Sequence, residues 1–453
     1  MRKREKESKS IISATSSIES PYSIPWEINE ATLGIPNCFK YKILRLRNQD
    51  NARTIARFIV ATKNEINLSD SYRKSLISNL SILSEFYDSK AKPFLEMTRD
   101  DIQAFLNNFR KPEPIDPLHK WIGTYNHFTV VISKFFEWLY YPDLPSSERQ
   151  KQKPSVIENS TQLKRREKSI YKPTDLWTQD DDQLFLKYCP SVRERCHHMI
   201  SRDTGCRPHE ILGLRMKDIV FKMANDRQYA EVLVNGKTGS RSVPLINSIP
   251  YVKDWIDVHP QRTNPNAYLI FGKGKSYGRK LTSDAMNSIY TDFKIKFFPK
   301  LLQDPSVSPE DKLKIKELLK KPWNPYIRRH SALTEKSKVL RENILKQYAG
   351  WSMGSQMHQK YLHYFGNESN ESILEAYGLK PREDSGIDKM KPKQCPNCSE
   401  LNKIDSKFCA KCRMVLSYDS YIETINKVQI DEAKLDKIQM LVERIENLEK
   451  QIK

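Results

Sequence analysis

The chain has 453 residues and a formal net charge of +20, from 76 Lys and Arg against 56 Asp and Glu. This length allows about two or three domains with apolar cores, and the basic surplus favours a polyanionic partner, nucleic acid before a membrane surface. No run approaches the roughly 18 apolar residues of a membrane-spanning helix, so the sequence predicts no membrane partner.

The first part of the chain is predicted to be a basic tail followed by a helical bundle. We expect residues 1–35 to be disordered, because they begin with a stretch rich in Ser and Lys. In residues 36–147, apolar side chains recur at three- and four-residue spacing, as at Leu76, Leu80 and Leu83. This periodicity predicts about four or five short helices, which we interpret as a core-binding domain that clamps DNA.

A basic stretch, residues 148–173, is predicted to link this bundle to a second domain. It contains eight Lys or Arg, a composition that would follow DNA phosphates if the two domains close around a duplex. A solvated tether is the alternative interpretation of such a run. The candidate DNA-binding residues are Lys164, Arg165, Arg166 and Lys168.

The second domain, residues 174–383, is predicted to be mostly helical with one small antiparallel sheet. Thr178, followed by three acidic residues, is a typical helix start. Residues 229–234 alternate in polarity, and the glycine at 236 supplies turn chemistry, so a hairpin is expected there. The predicted fold class is therefore mainly α (α+β).

Short motifs follow one another through this second domain. The first is an arginine, Arg207, at the start of a helix, where a planar guanidinium and the helix N-terminus both suit a phosphate group. In chain order the others are Gly236-Lys237, Arg329-His330, Gly350-Trp351 and Tyr361-Leu362-His363. Their order and local contexts resemble those of the tyrosine recombinase (phage integrase) family over roughly residues 50–370.

The resemblance implies residue roles in DNA strand transfer. Arg207 and Arg329 would hold the scissile phosphate, and Glu210 would orient Arg207. Lys237 would protonate the leaving 5′ oxygen, and Tyr361 would attack the phosphorus to form a 3′-phosphotyrosyl intermediate. The number of phosphodiesters is conserved, so the resemblance implies no nucleotide and no catalytic metal.

The motifs also depart from the family pattern. Trp351 stands where most members have histidine and some have tryptophan; its indole N–H can donate a hydrogen bond but cannot shuttle a proton. Tyr326 occupies the position where the family usually has histidine, and tyrosine is a poor base near neutral pH. The acceptor of the nucleophile's proton is therefore open. His330 and Arg328 are further supporting candidates for work near the phosphate. Tyr364 is a second candidate nucleophile beside Tyr361.

The C-terminal region contains two Cys-x-x-C knuckles within residues 392–416. Thiolates at this spacing are typical of a closed tetrahedral zinc site, so we predict a zinc ribbon with structural zinc. The proposed ligands are Cys395, Cys398, Cys409 and Cys412. Beyond them, residues 420–453 predict a helix or short coiled coil, since Ile438, Leu441 and Ile445 begin a heptad pattern.

The function predicted from these features is site-specific recombination that integrates or excises a mobile element. Double-stranded DNA is the expected partner, with self-association as a tetramer on two duplexes by analogy with the family. Two alternatives remain open: a catalytically idle DNA-binding regulator on the same fold, and an enzyme like type IB topoisomerases. The cysteine usage indicates a reducing compartment, hence a cytoplasmic, nucleoid-associated protein. The knuckles and lysine-rich composition suggest a prokaryotic, archaeal-type origin.

Overall fold

A computed structural model describes residues 25–165, 171–225, 227–236, 239–365, 377–378 and 389–417, and most of residues 421–442; the side chains of residues 363–365 are not described. Candidate residues Arg166, Lys168 and Lys237, and the side chains of His363 and Tyr364, therefore lie outside the description. The described chain is mainly helical with small antiparallel sheets, which confirms the predicted fold class. It divides into two compact units, residues 1–170 and 171–453.

The first unit is a bundle of helices around an aromatic core. Thr98 caps the helix Arg99–Asn107, because its hydroxyl accepts from the Asp101 N–H while the Asp101 carboxylate accepts from the Thr98 N–H. Phe94 and Phe135 pack edge to face at 4.8 Å between ring centroids. The described helices are α1 Trp26–Thr32, α2 Asn37–Leu44, α3 Gln49–Glu65, α4 Asp70–Phe86, α5 Arg99–Asn107, α6 Trp121–Tyr140 and α7 Ser146–Arg149, with short 3-10 helices at Asp88–Lys90, Phe94–Glu96 and Ser155–Ile157.

The limits of this bundle differ from the sequence-based expectation at both ends. Helix α1 lies inside the stretch expected to be a disordered tail, because Ile28 and Ala31 share one face and are fully buried. At the other end, Val156 and Ile157 are also buried in the core of this unit. Part of the expected linker is therefore packed structure. Lys164, beyond it, is exposed.

The second unit combines helices with a three-stranded sheet and a small C-terminal pair of strands. Its helices are α8 Gln179–Tyr188, α9 Val192–Thr204, α10 Pro208–Ile211, α11 Ile249–Asp257, α12 Ser283–Asp292, α13 Phe298–Leu301, α14 Pro309–Lys320, α15 Pro325–Ser337, α16 Glu342–Ala349 and α17 Met357–Gln359, with 3-10 helices at Pro173–Asp175, Met216–Asp218 and Gly274–Ser276 and π-helical turns at Phe293–Phe297 and Lys360–Phe365. The strands are β1 Ile219–Ala224, β2 Arg227–Gly236, β3 Gly239–Leu245, β4 Lys393–Gln394 and β5 Leu401–Asn402. Thr178 caps α8 as predicted, accepting from the Asp181 N–H.

The three-stranded sheet is antiparallel in the order β1-β2-β3, in agreement with the predicted hairpin. Gly236 pairs with Gly239, so the predicted general acid at position 237 belongs to a two-residue connection between β2 and β3. Val232 and Val243 are paired across the strands and fully buried, which places one face of the sheet against the core.

A buried charge cluster sets the rotation of α15, the helix that carries three of the predicted site residues. Asp182 of α8 accepts from His198 Nε2 at 2.8 Å and from Arg202 Nε at 3.2 Å. Arg328 Nη2 lies 3.0 Å from the same carboxylate. Although burial raises the pKa of Asp182, these neighbours hold it below its ordinary value. Successive helical residues point about 100° apart. Because Arg328 is anchored at Asp182, the side chains of Arg329 and His330 point away from this carboxylate.

The C-terminal cysteine module packs onto its own unit. Met390 is buried in the core of the second unit, and the Lys389 N–H donates to Gln179 at 3.0 Å. Ion pairs join Lys253 of α11 to Glu400 and Lys403 to Asp254. Nowhere in the described part of the chain is a helix long and apolar enough to cross a membrane.

Candidate active site and cysteine cluster

The first predicted arginine lies at a sharp turn between α9 and α10. Gly205 ends α9 with a φ of +55°, in the left-handed region, and Arg207 is the N-cap of α10. The Arg207 guanidinium donates to Glu210 Oε1 and to the Gly350 carbonyl, each at 3.1 Å. Its side chain is 22% exposed, so the group is held by protein contacts while part of it faces solvent.

Glu210 holds Arg207 and also a second arginine that sequence reasoning missed. Arg241 of β3 donates to both Glu210 carboxylate oxygens, at 3.2 and 2.8 Å. Burial raises the pKa of Glu210, but hydrogen bonds from Arg241 and the Arg207 backbone N–H outweigh it and lower the pKa to about 2. The carboxylate is therefore charged near neutral pH and can accept hydrogen bonds from both arginines.

The sequence contains a signal that could have found Arg241. Arg241 lies on the same face of β3 as Val243 and Leu245, because side chains two residues apart along a strand point the same way. Both of those residues are fully buried. An arginine on the buried face of a strand requires a partner of opposite charge in the interior.

Lys237 itself is not described, but the strand ends beside it are. A Cβ atom added to Gly236 would lie 2.3 Å from Glu210 Oε1. The end of β2 therefore passes directly against the carboxylate that orients Arg207. Gly236, the last described residue before Lys237, accordingly lies next to Glu210 and Arg241.

The second predicted arginine, Arg329, reaches the same region from α15. Its Nη1 donates to the Gly205 carbonyl at 2.6 Å and its Nη2 to the Ala349 carbonyl at 2.9 Å. The guanidinium carbon lies 5.9 Å from the centroid of the Trp351 ring. Burial lowers the pKa of Arg329 below that of a free guanidinium. Arg329 and Arg207 thus donate to adjacent carbonyls at the end of α16, those of Ala349 and Gly350.

The predicted nucleophile lies beside Arg329 in a stack of rings. Tyr361 is 1% exposed, and its hydroxyl lies 2.8 Å from Nδ1 of His330. The His330 and Tyr361 rings are nearly parallel, with an interplanar angle of 28° and 5.7 Å between ring centroids. The Trp351 ring also stacks on the Tyr361 ring, with an interplanar angle of 26° and 5.3 Å between ring centroids. The structure therefore brings together Tyr361, Trp351, Arg329 and His330.

The pKa values of this pair keep both the phenol and the imidazole uncharged near neutral pH. Burial raises the pKa of Tyr361 to about 12, although the charges of Arg329 and Arg207 act in the opposite direction. Burial, together with the charges of Lys360 and Arg329, lowers the pKa of His330 to about 3. Near pH 7 the imidazole is neutral, so the phenol can donate to Nδ1 in the tautomer that carries its proton on Nε2.

Tyr326, the substitute for the usual family histidine, does not reach the nucleophile through a described contact. It lies in the first turn of α15 and is 46% exposed. His330 follows it by four residues and so occupies the same face one turn further along. In the described structure the imidazole that contacts the Tyr361 hydroxyl is thus that of His330. Its position directly after Arg329 was the available sequence signal.

Four cysteines cluster where a metal ion could bind. Their sulfur atoms all lie within 4.8 Å of one another, with Cys395 and Cys412 at 3.5 Å and Cys398 and Cys409 at 3.6 Å. A tetrahedral zinc ion with bonds of about 2.3 Å to sulfur separates its ligands by about 3.8 Å. The observed spacing therefore fits a four-thiolate zinc site.

The two knuckles of this cluster have the same backbone geometry. Ser399 N donates to the Cys395 carbonyl at 2.9 Å, and Arg413 N donates to the Cys409 carbonyl at 3.0 Å. Both donors have positive φ angles, 58° and 64°. Each Cys-x-x-C segment thus closes with an equivalent turn, as expected for paired halves of one metal site.

No protein-family model and no curated protein matches this chain. Among solved structures, it is similar to the XerH site-specific recombinase bound to palindromic difH substrate in a post-cleavage complex, with 16% identity, coverage of 78% of this chain and 95% of that chain, and a TM-score of 0.47. The Tn1549 transposon integrase in complex with transposon right end DNA has 14% identity, coverage of 72% and 99%, and a TM-score of 0.45. A lambda integrase tetramer bound to a Holliday junction has 11% identity, coverage of 68% and 76%, and a TM-score of 0.45.

Proposed function

We propose that this chain is a site-specific DNA recombinase of the tyrosine type, which cuts and rejoins double-stranded DNA to integrate or excise a mobile element. The observation that carries the proposal is the 2.8 Å contact between the Tyr361 hydroxyl and a neutral His330, beside Arg329. A phenol with a proton acceptor on one side and guanidinium groups on the other has the components of a phosphate-attacking nucleophile.

The two arginines supply the electrostatic part of the reaction. Each guanidinium is held by two contacts to protein oxygens, which fixes its plane and leaves further N–H donors for the non-bridging oxygens of a phosphodiester. Arg207 is the more exposed of the two and would meet the incoming phosphate first. Positive charge that is already oriented stabilises the extra negative charge that develops at phosphorus during attack.

The proposed reaction has a cleavage step and a rejoining step. The Tyr361 oxygen attacks phosphorus, its proton passes to His330 Nδ1, and the bond from phosphorus to the 5′ oxygen breaks. Lys237 supplies the proton that the leaving 5′ oxygen takes up. Rejoining reverses each transfer, so the bonds balance without a nucleotide or a catalytic metal. Trp351 stacks on the phenol and holds its ring in place.

Binding of DNA would itself activate the proton acceptor. In the free protein the low pKa of His330 makes it a weak base. A bound phosphodiester brings a negative charge close to the imidazole, which raises the pKa of His330. Proton transfer from Tyr361 is thus coupled to the presence of the phosphate.

The remaining parts of the chain would serve DNA binding and assembly in the cytoplasm, on the nucleoid. We assign the basic residues Lys164, Arg165, Arg166 and Lys168 to DNA phosphates, and structural zinc to the four clustered cysteines. Leu435, Ile438 and Leu441 lie in helical segments and are half exposed, which supports association between copies through the C-terminal helix. A tetramer on two duplexes is the proposed working form.

The test is a denaturing-gel assay for protein joined covalently to DNA. Wild type, Tyr361→Phe and Tyr277→Phe are incubated with fragmented genomic DNA of the source organism, without added metal or nucleotide. Tyr277 is a matched control because it is exposed, and a phenylalanine in its place keeps the ring that packs edge to face against Phe271. We expect an adduct with wild type and Tyr277→Phe, and none with Tyr361→Phe.

Other outcomes would redirect the proposal. An adduct that survives in Tyr361→Phe moves the nucleophile to Tyr364 or another residue. If wild type forms no adduct on DNA that it binds, the proposed DNA-cleaving activity is contradicted and an idle DNA-binding regulator is favoured. Plasmid relaxation without recombinant product would indicate an activity like type IB topoisomerases instead.

A further inference from the structure

Arg241 makes more contacts than the ion pair with Glu210. Its Nε donates to the Tyr348 carbonyl near the end of α16 at 3.0 Å, and its Nη2 approaches the Cys206 sulfur at 3.3 Å. The side chain is 10% exposed. One guanidinium therefore joins β3, the turn before α10 and the last turn of α16.

Two glycines show how closely the backbone fits around this group. A Cβ atom on Gly350 would lie 2.6 Å from Arg241 Nη1, and one on Gly236 would lie 3.2 Å from the same nitrogen. The Gly350 carbonyl is also an acceptor for Arg207. The Arg241 guanidinium thus sets the spacing between α16 and the hairpin strands, and that spacing positions one of the two anchors of Arg207.

We infer that Arg241 is a positioning residue for the cleavage reaction. It holds Glu210 and the end of α16 in a fixed relation, so that both groups that anchor Arg207 stay in place, and it ties down the strand that follows Lys237. Most of its own donors are used by protein acceptors, so it acts through Arg207 and does not contact the phosphate. The inference rests on the proposed function, because its effect is on a cleavage rate.

Arg241 also keeps Glu210 ionised. Without it the buried carboxylate loses its strongest opposing interaction, and the pKa of Glu210 rises from about 2. A protonated Glu210 is a weaker acceptor for the Arg207 guanidinium. Removal of Arg241 should therefore make cleavage more sensitive to acid than cleavage by the wild-type enzyme.

The experiment measures the rate of adduct formation on a DNA fragment that wild type cuts. The variants are Arg241→Gln, Arg241→Lys, Glu210→Gln and the double variant Arg241→Gln with Glu210→Gln. Arg227→Gln is the matched control, an exposed arginine on the neighbouring strand β2. Each is assayed below its own melting temperature, at about pH 7 and about pH 5, with DNA affinity measured in parallel.

We expect Arg241→Gln to slow cleavage on the order of 100-fold, as for a small displacement of a group that binds the phosphate, with unchanged DNA affinity. The slowing should be greater at the lower pH, and Arg241→Lys should recover part of the rate. The double variant should be no slower than the slower single variant, because both changes act through one anchor. Arg227→Gln should match wild type at both pH values.

The inference is overturned if Arg241→Gln cuts at the wild-type rate, if its slowing is the same at both pH values, or if the losses of the two single variants multiply. Should Arg241→Gln fail to fold, Arg241→Lys provides the same pH comparison. No adduct from wild type would remove the proposed function and this inference together. An adduct formed equally by wild type and Arg241→Gln contradicts the inference alone.

Discussion

The hydroxyl of Tyr361 lies 2.8 Å from Nδ1 of His330, a residue one helical turn beyond the position where a histidine was expected. The imidazole stacks on the phenol and is neutral near pH 7. Tyr326, at the expected position, is about half exposed. The geometry therefore offers a proton acceptor to the proposed nucleophile although Tyr326 replaces the expected histidine.

Replacement of His330 tests this assignment. We expect His330→Asn to slow adduct formation by at least about 100-fold, the usual contribution of a general base, while DNA binding is unchanged. Tyr326→Phe, on the same helix face, should cut at close to the wild-type rate. Single-turnover rates of adduct formation, on a DNA fragment that wild type cuts, give the effect of each variant. Equal losses in the two variants would contradict the role of His330.

Stability should fall in mild acid because of buried histidines. Burial lowers the pKa of His197 and that of His330 to about 3 in the folded chain, against about 6.5 for a free histidine. The unfolded state binds protons first, so this stability is fully present above about pH 6.5 and is lost as pH falls toward 3. Thermal melting between about pH 7 and pH 4 measures the slope.

His197 provides the sharper version of this test. It is fully buried, and neither ring nitrogen has a hydrogen-bond partner within the described part of the chain. We expect His197→Leu to flatten the pH dependence and to keep or raise stability near pH 7, because it removes an unsatisfied polar ring. The exposed His127→Gln is the surface control. A slope in His197→Leu as steep as in wild type would refute the explanation.

Gly350 is expected to be intolerant of any side chain. Its φ of +66° disfavours other residues, and an added Cβ would lie 2.6 Å from Arg241 Nη1. Gly350→Ala should lose about 1–3 kcal/mol of stability, and adduct formation should fall because the Arg207 anchor moves. Gly354→Ala is the control, since nothing lies within 4 Å of its added Cβ. Urea unfolding of both variants gives the comparison.

The cysteine cluster should contain one zinc ion per chain. Metal analysis of the purified protein, followed by a strong chelator, should show loss of zinc together with new protease cleavage within residues 391–417. Cys395→Ser should reproduce the change, since one ligand of four is lost. Cys38→Ser, an exposed cysteine of α2, should retain the metal. Protein that purifies without zinc and resists protease would contradict the prediction.

Much of the architecture could be predicted because its causes are local in the chain. Helical periodicity, the Thr98 and Thr178 caps and the β2–β3 turn each depend on residues a few positions apart. The Cys-x-x-C pairs are local in the same sense. Where the expectation differed, as at α1, the burial of Ile28 and Ala31 depends on a core that distant segments build.

The sequence by itself determined the helical class, the small sheet, the cysteine cluster and the candidate arginines and tyrosine. Only the tertiary structure decided which groups meet them. His330 and Tyr361 are 31 residues apart, as are Glu210 and Arg241, and Arg207 reaches a carbonyl 143 residues away. The His330 contact follows from the rotation of α15, which the buried Asp182–Arg328 pair sets, and the other two follow from the packing of β3 and α16 around Glu210 and Arg207. Spacing along the chain does not contain that rotation, because it is fixed by packing between segments.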